Sequence, residues 1–226
     1  MTIPGRDIFV WAPYLVAAVV HVVALATDSP VAEPTKMLLM PLLSLPVLVN
    51  WRSDWRFVAL LAALVCSWLG DSVGVIVEGD VVLPLMLVCF GAAHVVYIVL
   101  FVRGVADRPT PRWALVYVLW WMAMVAVVGR HAGALFPAVA LYGVVLAGTA
   151  AMSSRSTATV ALGGALFLTS DSLLAVRLFL PDSAPGWFGP AVMATYTAGQ
   201  ALIVAGVVRR AVGGMVVESA RREIGQ

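Results

Sequence analysis

Eight long apolar stretches follow one another along this chain, separated by short polar connections. A helix needs about 20 mostly apolar residues to cross a bilayer, and each stretch is long enough, or nearly so. Of the 226 residues, 62% are hydrophobic and 12% are charged, whereas soluble domains carry about 25% charged residues. The ten-residue alternating strands of an outer-membrane barrel are not seen in the sequence. The chain is therefore predicted to be all-α, a polytopic bundle of eight transmembrane helices.

The connections are too short to hold a separate soluble domain, so residues 1–226 are predicted to form a single integral membrane domain. The second span contains Pro41 and Pro46, which predict a kink or partial unwinding. The first span loosely resembles a cleavable signal peptide, whose removal would leave seven spans and discard His21. The predicted spans are 8–26, 36–50, 56–77, 81–102, 113–129, 133–151, 157–180 and 188–208.

Basic residues predict the orientation of these spans. With a cytoplasmic N-terminus, the opposite side holds Lys36, Arg130 and Arg177. The other eleven of the fourteen basic residues fall on the cytoplasmic side: Arg6, Arg52, Arg56, Arg103, Arg108, Arg112, Arg155, Arg209, Arg210, Arg221 and Arg222. Both termini are therefore predicted to be cytoplasmic. The expected location is a bacterial inner membrane. The clusters are interpreted as topology determinants that contact membrane lipids, and no nucleic-acid partner is expected.

Two aspartates lie inside the apolar spans. A charge near the bilayer centre costs about 2.5–3.5 kcal/mol on insertion scales, so Asp71 and Asp171 are predicted to be functional. Both lie about 20 Å from the cytoplasmic ends of spans three and seven, which run in the same direction. This matching depth indicates a weak 4+4 parallel duplication and allows the carboxyl groups to form an intramembrane acid–base pair.

Other polar residues lie at related depths. His94 and Tyr97 share one helix face, and Tyr196 and Gln200 share another. Each also has a structural interpretation, as a packing, interfacial or helix–helix hydrogen-bonding residue. The same holds for His21, interpreted first as a hydrogen-bonding residue between helices. Lys36 lies at the outer edge of the second span, where a long cation can simply anchor the helix end.

The sequence lacks the motifs of several common classes of enzyme. The sequence has no G-x-S-x-G elbow, no H-E-x-x-H and no Walker loop. An intramembrane aspartyl protease would need G-x-G-D, but Trp68 stands at the position of the first glycine. Cys66 and Cys89 lie within spans and predict neither a disulfide framework nor a metal site. No metal or cofactor is expected.

An ordered set of motifs from Thr35 to Val208 resembles the YhhN-like lysoplasmalogenase family. One departure is Met37, where family members often have proline after the lysine. The motifs are Thr35-Lys36, Ser67-x-x-Gly70-Asp71, Gly91-Ala92-Ala93-His94-x-x-Tyr97, Gly164-Ala165-x-Phe167-x-x-Ser170-Asp171-Ser172 and Tyr196-x-x-x-Gln200.

The resemblance implies hydrolysis of the vinyl ether bond of a lysophospholipid substrate, a lysoplasmalogen, to a fatty aldehyde and a glycerophospho head group. Enol-ether hydrolysis needs a proton donor and an anion, so Asp71 and Asp171 are the predicted catalytic pair. The expected supporting or substrate-binding residues are Lys36, His94, Tyr97, Tyr196, Gln200, Ser67 and Ser170. Arg177 is a further candidate for the lipid phosphate. A proton-coupled transporter and a lipid-binding protein are the alternative functions.

Overall fold

The computed structural model describes residues 4–224, with side chains described for residues 9–214. Within this part of the chain there are eight α-helices and no strand. The helices are α1 Pro4–Ala26, α2 Ala32–Val49, α3 Trp55–Ile76, α4 Val82–Leu100, α5 Val116–Val128, α6 Phe136–Ser153, α7 Ala158–Phe179 and α8 Phe188–Ile224. Each belongs to a segment long and apolar enough to cross a membrane. The predicted all-α, eight-span membrane protein is confirmed.

The ends of several helices differ from the predicted spans. A π-helical turn, Phe101–Val105, extends α4, and 3₁₀ turns precede α5 and α6 at Arg112–Leu115 and Gly133–Leu135. The helix α8 continues far beyond the predicted residue 208. Of the basic residues used to predict the orientation, Arg6, Arg221 and Arg222 lie outside the residues whose side chains are described.

The bundle exposes apolar side chains on its outer surface, as a protein in lipid must. Phe9, Val88 and Leu141 are each more than 60% exposed, which in lipid carries no hydrophobic cost. The helix α8 is the most buried span and packs against α7, α1, α2 and α3. The helix α1 packs on α2 and α8, and the buried Tyr14 hydroxyl donates to the Thr197 carbonyl oxygen at 2.7 Å.

Four helix contacts recur between the two halves of the chain. The pairs α1–α2, α2–α3 and α3–α4 correspond to α5–α6, α6–α7 and α7–α8. The contact between α4 and α6 likewise corresponds to that between α8 and α2. The contact between α1 and α8 has no comparable counterpart between α5 and α4. The contact between α3 and α8 likewise has no comparable counterpart between α7 and α4. The arrangement therefore agrees with a 4+4 duplication only in part.

The helix α2 is continuous through both of its prolines, so the predicted partial unwinding does not occur. Pro41 has no N–H to donate to the carbonyl of Met37, four residues earlier. The indole nitrogen of Trp68, on α3, donates to that carbonyl oxygen at 2.9 Å. The missing helix bond thus becomes a bond between helices, which fixes α2 against α3 beside Lys36 and Asp71.

The two helices that carry the aspartates begin at side-chain caps. Asp54 accepts a hydrogen bond from the backbone N–H of Arg56 at 2.9 Å, and Thr157 accepts one from that of Val160 at 3.4 Å. Hydrogen bonds from the Arg56 guanidinium also hold the pKa of Asp54 below its usual range. Such caps stabilise a helix start by about 1 kcal/mol. They fix where α3 and α7 begin, and hence how far along each helix its aspartate lies.

Candidate active site

A cavity of about 470 Å³ lies inside one end of the bundle. All eight helices contribute to its lining, mostly through the halves next to the connections after α1, α3, α5 and α7. Most of the lining is apolar, as at Phe90, Trp120 and Leu174. Asp71 and Asp171 both line this cavity, from α3 and α7 respectively. The two carboxyl groups singled out in the sequence thus share one largely apolar chamber.

Asp71 is held between a cation and a hydroxyl group. Its Oδ1 lies 3.6 Å from the Lys36 ammonium, on α2, and its Oδ2 accepts a hydrogen bond from the Tyr196 hydroxyl, on α8, at 2.8 Å. The carboxyl group is 4% exposed, so the ion pair is sheltered from water. In such surroundings a carboxylate is stable only when it is paired and hydrogen-bonded, as it is here.

Asp171 has a different set of partners. The hydroxyl of Tyr142, on α6, donates a short hydrogen bond to its Oδ2. The Nε2 atom of His94, on α4, lies 3.5 Å from the same oxygen and 3.2 Å from the Tyr142 hydroxyl. Each aspartate therefore has one partner on the preceding helix and one across the bundle, on α8 for Asp71 and α4 for Asp171. The two sites correspond by position, but the residues in them differ.

The surroundings of the other ring nitrogen of His94, Nδ1, indicate whether that atom carries a proton. The hydroxyl of Thr149 donates to the Val145 carbonyl oxygen at 2.9 Å, so it has only a lone pair to offer His94 Nδ1, 3.1 Å away. With the hydroxyl hydrogen directed to Val145, the Nδ1 atom carries a proton. Any change in the protonation of His94 falls on Nε2, the atom that faces Tyr142 and Asp171.

Two proton arrangements then satisfy the trio of His94, Tyr142 and Asp171. In one, ionised Asp171 accepts from Tyr142 while His94 Nε2–H donates to the tyrosine oxygen. In the other, protonated Asp171 donates to that oxygen, and Tyr142 donates to the bare Nε2 of His94. The total number of protons is the same in both. The trio can therefore hold a proton and pass it to the carboxyl group in the cavity.

Four of the predicted site residues do not line the cavity: His94 lies behind Asp171 and Tyr142, and the other three form a separate buried chain. The Tyr97 hydroxyl donates to Gln200 Oε1 at 2.5 Å, and Gln200 Nε2 donates to the Ser67 hydroxyl at 3.1 Å. All three side chains are completely buried. These contacts join α4, α8 and α3 behind the cavity, so Tyr97, Gln200 and Ser67 hold the helices that carry the site and do not reach its contents.

The remaining predicted residues lie at the cavity or next to it. Ser170 lines it, but its hydroxyl donates to the Val192 carbonyl oxygen at 2.9 Å and ties α7 to α8. Arg177 is an exposed residue of the lining beside Gly189, and no ion-pair partner for it is found among residues 9–214. In that same part of the chain, no group of three or more His, Cys, Asp or Glu residues could hold a metal ion.

Sequence reasoning missed Tyr142 and Phe167. The ring of Phe167 is buried between His94 and Tyr196, with centroid distances of 4.6 and 5.3 Å. It thereby joins the surroundings of the two aspartates. Tyr142 could have been identified from the sequence, because it is a hydroxyl-bearing side chain in an apolar span at the depth of Asp171. Phe167 belongs to one of the motifs that carry the resemblance, but no role was predicted for it, since an aromatic residue in such a span most often only packs.

Comparison with known proteins supports the resemblance seen in the motifs. The model of the YhhN family matches residues 31–207, which includes both aspartates and every predicted site residue. Neither a curated protein nor a solved structure is similar enough to the chain to match it. The matched region covers more than half of the sequence and seven of the described spans. The chain therefore belongs to the YhhN family.

Proposed function

We propose that this protein is an intramembrane hydrolase that cleaves the vinyl ether bond of a lysoplasmalogen. The observation that carries the proposal is that Asp71 and Asp171 line one apolar cavity, each with its own set of hydrogen-bonding partners. Membership of the YhhN family supports it, because the motifs resemble those of lysoplasmalogenases. Asp171 is the proposed acid, and Asp71 is the proposed anion.

The first step is protonation of the enol ether. An enol ether is activated by a proton on its β-carbon, which turns the α-carbon and the ether oxygen into an oxocarbenium ion. The proton shift described above brings a proton from His94 by way of Tyr142 to the Asp171 carboxyl group, and Asp171 then donates this proton to the β-carbon. The ionised carboxylate that remains, together with the Asp71 carboxylate across the cavity, stabilises the cation.

The second step is the addition of water. Water attacks the α-carbon and gives up one proton to a carboxylate, which produces a hemiacetal. The hemiacetal then collapses to a fatty aldehyde, and its C–O bond breaks as the glycerol oxygen takes up a proton. One acid and one base or anion carry out the same division of labour in glycoside hydrolysis, which passes through a similar cation. Neither a metal nor an organic cofactor is needed to balance these steps.

The charges at the cavity mouth orient the lipid. Lys36 is paired with Asp71, whereas Arg177 is exposed at the lining and is six residues beyond Asp171 on α7. A guanidinium group suits a phosphate because it offers several donors in a plane. The phosphate of the bound lipid is accordingly assigned to Arg177, and its single apolar chain to the apolar wall.

The experiment measures aldehyde release from a vinyl-ether lysolipid by the purified protein in detergent. Asp71→Asn and Asp171→Asn keep the size of the side chains and one acceptor oxygen but remove the acid and the anion. Each is expected to lower kcat by about 10²-fold or more, the usual range for acid–base catalysis. Asp182→Asn is the control, since Asp182 is exposed on the same end of the bundle. Undiminished release in either of the first two variants would rule out the carboxyl pair.

A further inference from the structure

One polar side chain of the cavity has no place in the proposed chemistry. His21, on α1, is 1% exposed and lines the same cavity as the two aspartates. The lining residues from α1 are His21 and Leu25, so His21 is the polar group that this helix contributes. It precedes residue 31, where the family match begins. Its role therefore has to be read from its contacts.

The contacts of His21 settle which nitrogen carries its proton. The Nδ1 atom lies 3.0 Å from the Ala32 carbonyl oxygen and 2.9 Å from the Thr35 hydroxyl. A carbonyl oxygen only accepts, and the Thr35 hydroxyl already donates to the Val31 carbonyl oxygen at 2.7 Å. The Nδ1 atom is therefore the donor to both. In the neutral ring, Nε2 then has a free lone pair and can only accept.

That lone pair is unused by the protein. Within residues 9–214, Nε2 of His21 is a buried side-chain nitrogen without a hydrogen-bond partner. Such atoms are rare because a buried acceptor that loses its water without gaining a donor destabilises the fold. An unpaired acceptor on a residue that lines a ligand-sized cavity indicates that the missing donor belongs to what the cavity binds.

We propose that Nε2 of His21 accepts a hydrogen bond from the free hydroxyl group of the bound lysolipid, next to the ether carbon of its glycerol. This inference rests on the proposed function for the identity of the lipid. Thr35, which orients His21, is followed by Lys36, the partner of Asp71. His21 therefore lies on the Asp71 side of the cavity. An acyl group on that hydroxyl would remove the donor, so His21 selects for lyso forms.

The test measures equilibrium binding, so that it does not depend on hydrolysis. The probes are a saturated 1-O-alkyl lysophospholipid and its analogue without the 2-hydroxyl group, bound to the protein in nanodiscs. The variant is His21→Asn, whose amide N–H can still donate to Ala32 and Thr35 but has no atom at the position of Nε2. His131→Asn is the matched control, because His131 is an exposed histidine outside the cavity lining.

Wild type and His131→Asn are expected to bind the hydroxyl lipid about tenfold more tightly than the deoxy analogue, the usual effect of one hydrogen bond. In His21→Asn the two values of Kd should become equal, with that of the deoxy analogue unchanged. A preference that persists in His21→Asn overturns the inference and leaves the proposed function intact, as does wild type that binds both lipids equally. If His21→Asn loses the preference for the hydroxyl lipid but wild type does not cleave vinyl ethers, the inference about His21 stands and the proposed hydrolase activity is wrong.

Discussion

At the scale of single residues, the account depends on the unequal surroundings of the two aspartates. Asp71 has a cation and a hydroxyl group as partners, which suits a carboxylate that stays ionised. Asp171 has a hydroxyl group and an imidazole, which between them can deliver a proton. In the proposed mechanism, the acid and the anion are assigned from the difference between these partners, since the aspartates themselves are alike.

We therefore expect Tyr142 to matter more to catalysis than Tyr196. Tyr142→Phe breaks the proton path between His94 and Asp171, and we expect kcat to fall by about 10²-fold. Tyr196→Phe leaves Lys36 beside Asp71, so its kcat should fall by about tenfold, as for one hydrogen bond to a charged group. Steady-state kinetics would measure both, with Tyr117→Phe on α5 as the control. Equal losses in the first two variants would contradict the division of roles.

The aspartates and three of their four partners could be identified from the sequence, but not which partner meets which carboxyl group. A charge in an apolar span is conspicuous because of its cost, and matching depth along α3 and α7 followed from counting residues. Which side chain meets which carboxyl group depends on the rotation of each helix. His94 and Tyr97 share a face by their spacing, yet His94 faces α6 and Tyr97 faces α8. The spacing of the two residues does not determine that they contact different helices.

At the scale of elements, the hydrogen bond that Pro41 cannot make within α2 is replaced by one from Trp68 on α3. Trp68→Phe leaves the Met37 carbonyl oxygen without its donor, and we expect the free energy of unfolding to fall by about 1 kcal/mol. With Pro41→Ala in the background, the new backbone N–H can bond to Met37, so the same substitution should cost less. Thermal unfolding of the four proteins in detergent measures this difference. Equal costs in both backgrounds would contradict it.

Span positions were easier to predict from the sequence than helix ends. Hydropathy located every span, because lipid demands about 20 apolar residues in a helix. The helix α2 nevertheless begins at Ala32 and not at residue 36. Glu33 and Pro34 fit its first turn, where an acidic side chain is favourable and a proline costs no hydrogen bond. Because the first turn of α2 is polar, a hydropathy profile places the beginning of this helix too late.

At the scale of the whole molecule, most cavity-lining residues lie toward the connections after α1, α3, α5 and α7. The distribution of basic residues predicts that this end faces away from the cytoplasm. In a protein with Cys66 and Cys89 replaced by Ala, Ser183→Cys should react with an impermeant maleimide added to intact spheroplasts. Ser53→Cys, also exposed, should react only after permeabilisation. The reverse pattern would place the cavity at the cytoplasmic side.

The central claim is that cleavage begins with a proton placed on the β-carbon of an enol ether inside this cavity. The most direct measurement is the mass of the aldehyde formed from a vinyl-ether lysolipid in D₂O, trapped as an oxime as it is released. The account predicts one deuterium on the carbon next to the aldehyde carbon, formed by wild type and lost together with turnover in Asp171→Asn. Aldehyde without deuterium at that carbon, or no aldehyde at all from the folded wild-type protein, would contradict it.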